Sequence, residues 1–245
     1  MGDVGPPAGG YEELAKIIDH TLLDAALTEE EVAEGCALAR AYGVASVLVR
    51  PSDVELTAGW MESSGVAVGT VVGYPHGSST TSAKLYELRD LLRRGAREIE
   101  AVINLGKIRS RQFSYLEMEW MQMAKACHDS GAVLRLVLES HRLADDLRII
   151  GVKIARRAEV DTVVNATVGG PPVNLDDLRF LVGRLEPLVK VKASPVATLD
   201  EALAAREAGC SRLGATATAA ILDAFKARLA EAARQAQAVA PPAPA

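Results

Sequence analysis

The sequence predicts an α/β fold, a single TIM (β/α)8 barrel, and three observations carry that prediction. Eight short β-rich runs alternate with longer stretches of helical periodicity, which is the pattern of a parallel sheet covered by helices. The chain has 245 residues, a length that one barrel domain commonly fills. No glycine-rich dinucleotide fingerprint follows the first run, which disfavours a doubly wound open sheet. An active site is then expected at the carboxyl ends of the strands.

The predicted strands and helices follow one another in regular order. Valine, isoleucine and leucine recur in the β-rich runs, which lie near residues 16–20, 44–49, 66–74, 98–104, 133–139, 160–166, 188–193 and 211–214. Helical periodicity predicts helices over Thr28–Tyr42, Ser82–Arg94, Tyr115–Ser130, Ala144–Arg157, Leu175–Leu185 and Leu199–Ala208. Thr28 and Glu31 form a capping box at the start of the first of these helices, and Gly43 ends it. The run STTS at 79–82 predicts a cap for the second helix.

Composition argues against several classes of function. A net charge of −5 and an aromatic content of 4% disfavour a nucleic-acid partner, since they provide neither a basic surface nor a stacking platform. The three cysteines are far apart and odd in number, which predicts no disulfide framework and favours a cytoplasmic location. No apolar run approaches the length of a membrane span, so no membrane partner is expected. We expect disordered tails at 1–10 and 234–245 and one barrel domain over 11–233.

Strand alternation predicts which side chains point into the barrel lumen. Side chains at alternate positions share one face of a strand, and the face toward the helices must be apolar. By this rule the lumen receives the following residues: Glu98, Glu100, Val102, Asn104, Arg135, Val137, Glu139, Lys190 and Lys192. Positive and negative side chains from three strands are therefore expected to meet in one lumen.

Two interpretations of these charges remain open. Buried charges need partners, and the set could be a neutralised structural ion cluster. Buried ion pairs stabilise a fold poorly, however, so charges from several strands at one barrel mouth favour a polar reaction site. A lysine that is crowded by other cations and removed from water has a lowered pKa and can act as a neutral amine.

The histidines add one candidate site residue. His76 follows the third strand at the expected catalytic rim, where an acid or base and a loop-packing histidine are about equally favoured. His20 is expected to be a structural hydrogen-bonding residue, because Asp19 and Thr21 take the lumen-facing positions of the same strand. No two histidines have ligand-like spacing and no carboxylate cluster suggests a metal, so neither a metal nor a cofactor is predicted.

Seven segments together resemble the deoxyribose-phosphate aldolase family over residues 11–226. They are IDHTLL at 18–23, VVGYPHG at 71–77, REIEAVINLG at 97–106, LRLVLES at 134–140, VDTVVNATVGG at 160–170, VKASP at 191–195 and SRLGAT at 211–216. Each segment alone is weak, whereas their order and spacing are specific. The resemblance implies a class I aldolase of the barrel fold, in which a lysine on strand six forms a Schiff base with an aldehyde. A second lysine on strand seven tunes the first, and an acid on strand four relays protons.

The resemblance assigns roles to individual positions and also reveals a departure. Lys192 falls on the strand-seven lysine, and Glu100 falls on the strand-four acid, which is usually aspartate in the family. Asp19 and Thr21 match substrate-contacting positions in the first motif. Val164 occupies the Schiff-base position, and valine cannot be a nucleophile. The standard family activity is therefore not expected.

The phosphate-binding loop of the family is also altered. Family members hold phosphate partly with a Gly-Gly-Ile-Arg loop after strand seven, whereas this chain has 195–197, Pro-Val-Ala, one residue shorter. Proline supplies no N–H donor, and the glycines and the arginine are gone. Asn165 and Thr167 differ from the family's usual residues and indicate a remodelled pocket wall. We therefore expect a small, non-phosphorylated aldehyde or ketone as the substrate.

Three functions remain open from the sequence. The first is an aldolase-like carbon–carbon lyase in which Lys192 is an amine nucleophile or a charge stabiliser. In that mechanism Lys190 and Arg135 lower the pKa of Lys192, while Glu100 and Glu139 move protons. The second is an isomerase, dehydratase or cyclase of specialised biosynthesis that stabilises an enolate without a Schiff base. The third is a catalytically silent barrel.

Further expectations concern the substrate and the assembly. The partner is a small carbonyl compound, and the family resemblance admits a homodimer, although nothing in the sequence fixes the oligomeric state. The residues predicted to bind substrate are Asp19, Thr21, His76, Asn104, Arg135, Asn165, Thr167 and Lys190.

Overall fold

The strands close into a barrel, as the sequence predicts. The computed structural model describes residues 10–239, and within them eight parallel strands pair in sequence order, with the last strand paired to the first. The strands are β1 (Ile18–Leu22), β2 (Ser46–Val49), β3 (Ala67–Val72), β4 (Glu98–Val102), β5 (Val133–Val137), β6 (Thr162–Val164), β7 (Lys190–Ala193) and β8 (Arg212–Ala215). Because the strands are parallel, all their carboxyl ends meet at one mouth of the barrel.

Helices form the outer layer. They are α1 (Tyr11–Ala15), α2 (Glu29–Tyr42), α3 (Val54–Trp60), α4 (Thr81–Arg93), α5 (Leu105–Arg109), α6 (Phe113–Asp129), α7 (Asp145–Arg157), α8 (Leu175–Leu185), α9 (Leu199–Glu207) and α10 (Thr218–Val239). The six predicted helices are α2, α4, α6, α7, α8 and α9, each within two residues of its predicted bounds. The short helices α1, α3 and α5 are not predicted, because so few residues give little periodicity to detect.

The last helix extends further than the predicted domain. Helix α10 runs to Val239, past the predicted boundary at residue 233. Residues 1–9 and 240–245, which belong to the two predicted tails, lie outside the described residues. Among residues 10–239, no helix combines the length and the apolar character that crossing a membrane requires.

Side chains at helix ends explain where the helices begin and end. The Thr28 hydroxyl accepts from the Glu31 N–H at 3.2 Å, and the Glu31 carboxylate accepts from the Thr28 N–H at 2.7 Å. This confirms the predicted capping box, which satisfies two otherwise unpaired N–H groups of α2. Gly43 ends α2 in the left-handed conformation at φ 66°. The predicted cap of α4 is Thr80, whose hydroxyl accepts from the Ala83 N–H.

Separate apolar clusters on the two sides of the sheet agree with the predicted alternation of strand side chains. Ile99 and Leu134 belong to the large core between the barrel and the helices. Val102, Val137 and Val164 form a small cluster of their own inside the lumen. Alternate positions of β4 and β5 therefore face opposite sides of the sheet, as a side-chain period of two requires.

A buried ion pair holds the end of β4 from outside the barrel. Lys84 of α4 and Glu119 of α6 are completely buried and lie 2.9 Å apart. The Lys84 ammonium also donates to the carbonyl oxygen of Val102, the last residue of β4, and the Thr81 hydroxyl donates to Glu119. A buried pair of this kind is costly to break, because the remaining partner is left charged and desolvated. It therefore ties two helices to a strand that carries part of the candidate site.

Candidate active site

Arg135 of β5 lies at the centre of a charged network in the barrel lumen. Its Nη1 is 2.7 Å from Asp19 Oδ2 and 3.2 Å from Glu100 Oε1, and its Nη2 is 2.5 Å from Glu98 Oε2. All four side chains are buried. Strand alternation predicts that the charges of β4 and β5 meet here, and the structure brings them together with the aspartate of β1.

Lys192 of β7 joins the same network between two carboxylates. Its Nζ lies 2.5 Å from Glu100 Oε1 and 2.7 Å from Asp19 Oδ2, and only 1% of its side chain is exposed. Two carboxylates at these distances bind a charged ammonium by charge-assisted hydrogen bonds. The arrangement holds the Lys192 side chain between the carboxylates of two different strands.

Arg212 completes the network and is a residue that the site prediction missed. Its guanidinium donates to Asp19, to both oxygens of Glu98 and to the Ser46 hydroxyl. Arg212 is the first residue of β8, and the alternation rule applied to β8 would have placed it in the lumen. With Arg212 included, three cations face three carboxylates, so the buried network is neutral.

The network changes the pKa of its own members. Burial would raise the pKa of the Asp19 carboxyl, but Arg135, Lys192 and Arg212 outweigh that effect and hold it well below its usual range. Burial would lower the pKa of Arg135, yet its carboxylate neighbours raise it above the ordinary value. Asp19 and Arg135 therefore stay charged, and Asp19 serves as a structural anion of the network. Within residues 10–239, no group of three histidine, cysteine or acidic side chains could hold a metal ion.

The expectation that Lys190 lies beside Lys192 is wrong. Lys190 is the first residue of β7, its side chain is 55% exposed, and its Nζ pairs with Glu186 at 3.2 Å. Alternation gives the side of a strand and not the height along the barrel, so a residue at the amino-terminal edge projects into solvent. Lys190 therefore lies outside the charged network that contains Lys192.

Apolar side chains stand where the family resemblance implies an amine. Val164 pairs in register with Lys192 and is completely buried, packed against Val102 and Val137. Within residues 10–239, Lys192 is the lysine whose ammonium reaches the charged network. The absence of a side chain at Gly214 of β8 makes room for the Lys192 side chain, because a Cβ there would lie 2.9 Å from the Lys192 Cε.

Glu139 stands at the carboxyl end of β5 in a strained conformation. Its φ is 53° and its ψ 46°, values that non-glycine residues seldom adopt. One carboxylate oxygen accepts from the Thr167 N–H at 2.6 Å, and the other lies 3.9 Å from His141 Nε2. The strained turn thus aims a buried carboxylate across the rim at the loop that follows β6.

Asn165 and the remaining predicted residues mainly organise the rim. Asn165 is buried, and its Oδ1 accepts from the Ser194 N–H at 2.7 Å, which ties the ends of β6 and β7 together. Asn104 caps α5 by accepting from the Lys107 N–H. His76 is exposed in the loop after β3.

Thr21 lies on the same face of β1 as Asp19. It is buried on β1, and its hydroxyl donates to the Asp19 carbonyl oxygen at 3.2 Å. The neighbouring His20 points to the other face of the strand, where its Nδ1 lies 2.9 Å from the Thr218 hydroxyl of α10. This is the structural hydrogen bond expected for His20.

Residues 195–197, which follow β7, offer an anion no free backbone N–H within the described chain. Pro195 lacks an N–H, the Val196 N–H donates to the Gly214 carbonyl at 2.8 Å, and the Ala197 N–H donates to the Glu201 carboxylate at 2.8 Å. Glu201 also brings a negative charge to the loop. A phosphate group there would meet a carboxylate where a phosphate-binding loop offers N–H groups.

Known proteins similar to this chain are aldolases. A deoxyribose-phosphate aldolase of Bacteroides thetaiotaomicron is 35% identical over 217 residues, which cover 88% of this chain and 91% of that protein. Another, from Caldanaerobacter subterraneus subsp. tengcongensis, is 34% identical over 216 residues, covering 87% of this chain and 94% of that protein. No family model matches the chain.

Solved structures give the same relationship. A deoxyribose phosphate aldolase from Aeropyrum pernix, described as a unique tetrameric structure, superimposes with a TM-score of 0.83 at 29% identity. The match covers 90% of this chain and 94% of that chain. The aldolase QR15 superimposes with a TM-score of 0.82 at 26% identity, covering 88% of this chain and 97% of the other.

Proposed function

The chain belongs to the deoxyribose-phosphate aldolase family, and from this premise we propose that it is a carbon–carbon lyase acting on a small, non-phosphorylated aldehyde or ketone. The observation that carries the proposal is the position of Lys192, whose Nζ lies 2.5 Å from Glu100 and 2.7 Å from Asp19. A buried cation next to a carboxylate suits a reaction in which negative charge develops on a carbonyl oxygen.

Lys192 acts in this proposal as a charge stabiliser. In retro-aldol cleavage, Glu100 takes the proton of the β-hydroxyl group, the carbon–carbon bond breaks, and its electrons form an enolate. Lys192 stabilises the enolate oxygen while Asp19 keeps the ammonium in place, and the proton on Glu100 returns to the enolate carbon. The rim carboxylate of Glu139 holds the loop after β6 through the Thr167 N–H.

The loop after β7 supports a substrate without phosphate. Its two N–H groups are already bonded within the protein, and Glu201 would repel an anion. A neutral hydroxyl or alkyl group meets neither obstacle, so the non-reacting end of the substrate is proposed to be uncharged.

Variants of Lys192 test the lyase and the role of the lysine together. We expect cleavage of unphosphorylated β-hydroxy aldehydes or ketones by the wild type, a loss of about 10- to 100-fold in Lys192→Arg, and complete loss in Lys192→Met. Borohydride added during turnover should leave the mass of the peptide that contains Lys192 unchanged, because no Schiff base forms. A trapped adduct on Lys192 would show that the lysine is the nucleophile, and absence of cleavage across the panel would contradict the lyase.

An enolising isomerase, dehydratase or cyclase is the second candidate. The specific observation that favours it is Val164, which leaves the lumen without the amine that the family's cleavage mechanism uses. The same residues would form an enolate and return a proton without breaking a carbon–carbon bond. Product analysis separates the two candidates, since only the lyase shortens the carbon chain.

A further inference from the structure

A cleft of about 670 Å³ opens at the amino-terminal end of the barrel, opposite the mouth where the strand carboxyl ends meet. Glu98, Thr162 and Arg212 line it, and each is the first residue of its strand. Arg135 also lines the cleft. The cleft therefore reaches the charged network from the side opposite the strand carboxyl ends.

The polar groups left unpaired inside the cleft are donors. The Arg135 Nε is buried and has no hydrogen-bond partner among the described residues. Arg212 donates through Nε and Nη2, while no contact to another described residue occupies its Nη1. Both oxygens of Glu98 are already taken, because they accept from the two arginines. The interior can thus offer N–H groups to a ligand but no free carboxylate oxygen.

The rim adds two exposed cations. Arg156 forms no ion pair within residues 10–239, and Lys190 pairs only with Glu186 on its outer side. Asp161 also lines the cleft and brings a negative charge: its Oδ2 accepts from the Leu134 N–H at 2.8 Å and lies 3.1 Å from His128 Nε2.

Glu159 is the one lining carboxylate whose oxygens bond to no other group of the described chain, and its backbone has a positive φ of 55°. Its charge opposes an anion at the mouth of the cleft. Neutralising Glu159 should therefore strengthen anion binding, whereas neutralising the rim cations should weaken it.

We propose that this cleft binds a small oxyanion, a carboxylate or a phosphate group, between the guanidinium groups of the floor and the cations Arg156 and Lys190 of the rim. Arg135 through Nε and Arg212 through Nη1 can each donate a charge-assisted hydrogen bond to an oxygen of either anion. In this proposal Lys190 is a binding residue at the amino-terminal end of the barrel, where β7 begins. It does not depend on the proposed lyase, because it concerns a different mouth of the barrel.

A titration followed by NMR tests the proposal on the full-length protein. Malonate and inorganic phosphate are added separately at constant ionic strength, with chloride as the reference, and the backbone amides of Thr162, Val189 and Ser211 report on the cleft. We expect a saturable shift of these amides with at least one anion. Preference for malonate identifies a carboxylate site, and preference for phosphate identifies a phosphate site.

Matched charge variants locate the binding. Arg156→Gln and Lys190→Gln should each weaken the affinity by about two- to fivefold, since exposed charges contribute less than about 1 kcal/mol each. Glu159→Gln should strengthen it by a similar factor. The control is Arg179→Gln, because Arg179 is an exposed residue of α8 that does not line the cleft. This variant should leave the affinity for the anion unchanged. Unsaturable shifts, or equal affinities in all four variants, would overturn the proposal.

Discussion

Val164 shows how a single side chain sets the chemistry of the lumen. It is completely buried and pairs in register with Lys192, a member of the network in which three cations already neutralise three carboxylates. A fourth cation at this position would find no carboxylate of its own. Burial and the neighbouring cations would then lower the pKa of the added amine and leave part of it neutral near pH 7.

The variant Val164→Lys is therefore expected to gain a nucleophilic amine. Borohydride reduction in the presence of acetaldehyde should add an ethyl group to the introduced lysine, detected by peptide mass spectrometry, and the wild type should carry none at this position. The variant should also be less stable than the wild type by about 3 kcal/mol, because a buried charge is poorly compensated. Val164→Met, which adds length without an amine, is the control. Absence of the ethyl group from the introduced lysine, at the acetaldehyde concentration that leaves the other lysines of Val164→Met unlabelled, would contradict the prediction.

Residue by residue, strand alternation predicts the side a charge faces but not its depth. It places Glu100, Arg135 and Lys192 correctly in the lumen, because these residues lie within their strands. It fails for Lys190, which begins β7 at the edge of the sheet and projects into solvent. It would also have found Arg212 had the rule been applied to the short last strand. The missing information is the stagger of the strands, which depends on closure of the whole barrel.

At the scale of elements, the helices with caps and regular periodicity were predictable and the loop contacts were not. The sequence revealed that 195–197 lacks the glycines of a phosphate loop. It did not reveal that Glu201, four residues later on α9, folds back to accept from the Ala197 N–H. That contact depends on where α9 begins, since Thr198 caps the helix and aligns its first turn with the loop.

This loop predicts weak recognition of a sugar phosphate. Deoxyribose 5-phosphate should bind at the carboxyl mouth with a dissociation constant above about 1 mM, a binding free energy weaker than about −4 kcal/mol. The amides of Val196 and Ala197 should stay unshifted in an NMR titration, and shifts at Thr162 or Ser211 would instead belong to the amino-terminal cleft. Glu201→Ala removes the carboxylate and frees the Ala197 N–H, so the affinity of this variant for deoxyribose 5-phosphate should be higher than that of the wild type. A saturating shift of the wild-type loop amides below 1 mM would contradict the prediction.

At the scale of the whole molecule, Asp19 and His20 are expected to affect the stability of the fold in two different pH ranges. Asp19 has a pKa held far below its ordinary value of 3.8 by the lumen cations, which outweigh burial. Its stabilising contribution is complete above that ordinary value and is lost only in stronger acid. For His20 the pKa shift comes from burial itself. Burial between β1 and α10 favours the neutral imidazole and lowers its pKa from 6.5 to about 4.

The protein is therefore expected to lose stability between pH 6.5 and pH 4 through His20. In this range the unfolded chain binds a proton at His20 that the folded protein does not, so the free energy of unfolding falls as the pH falls, by up to about 3 kcal/mol. Urea unfolding measured across this range should show the decline. His20→Asn should flatten it, whatever its effect on stability at pH 7, while His76→Gln in the exposed loop should leave the slope of the wild type. Equal slopes in wild type and His20→Asn would contradict the assignment.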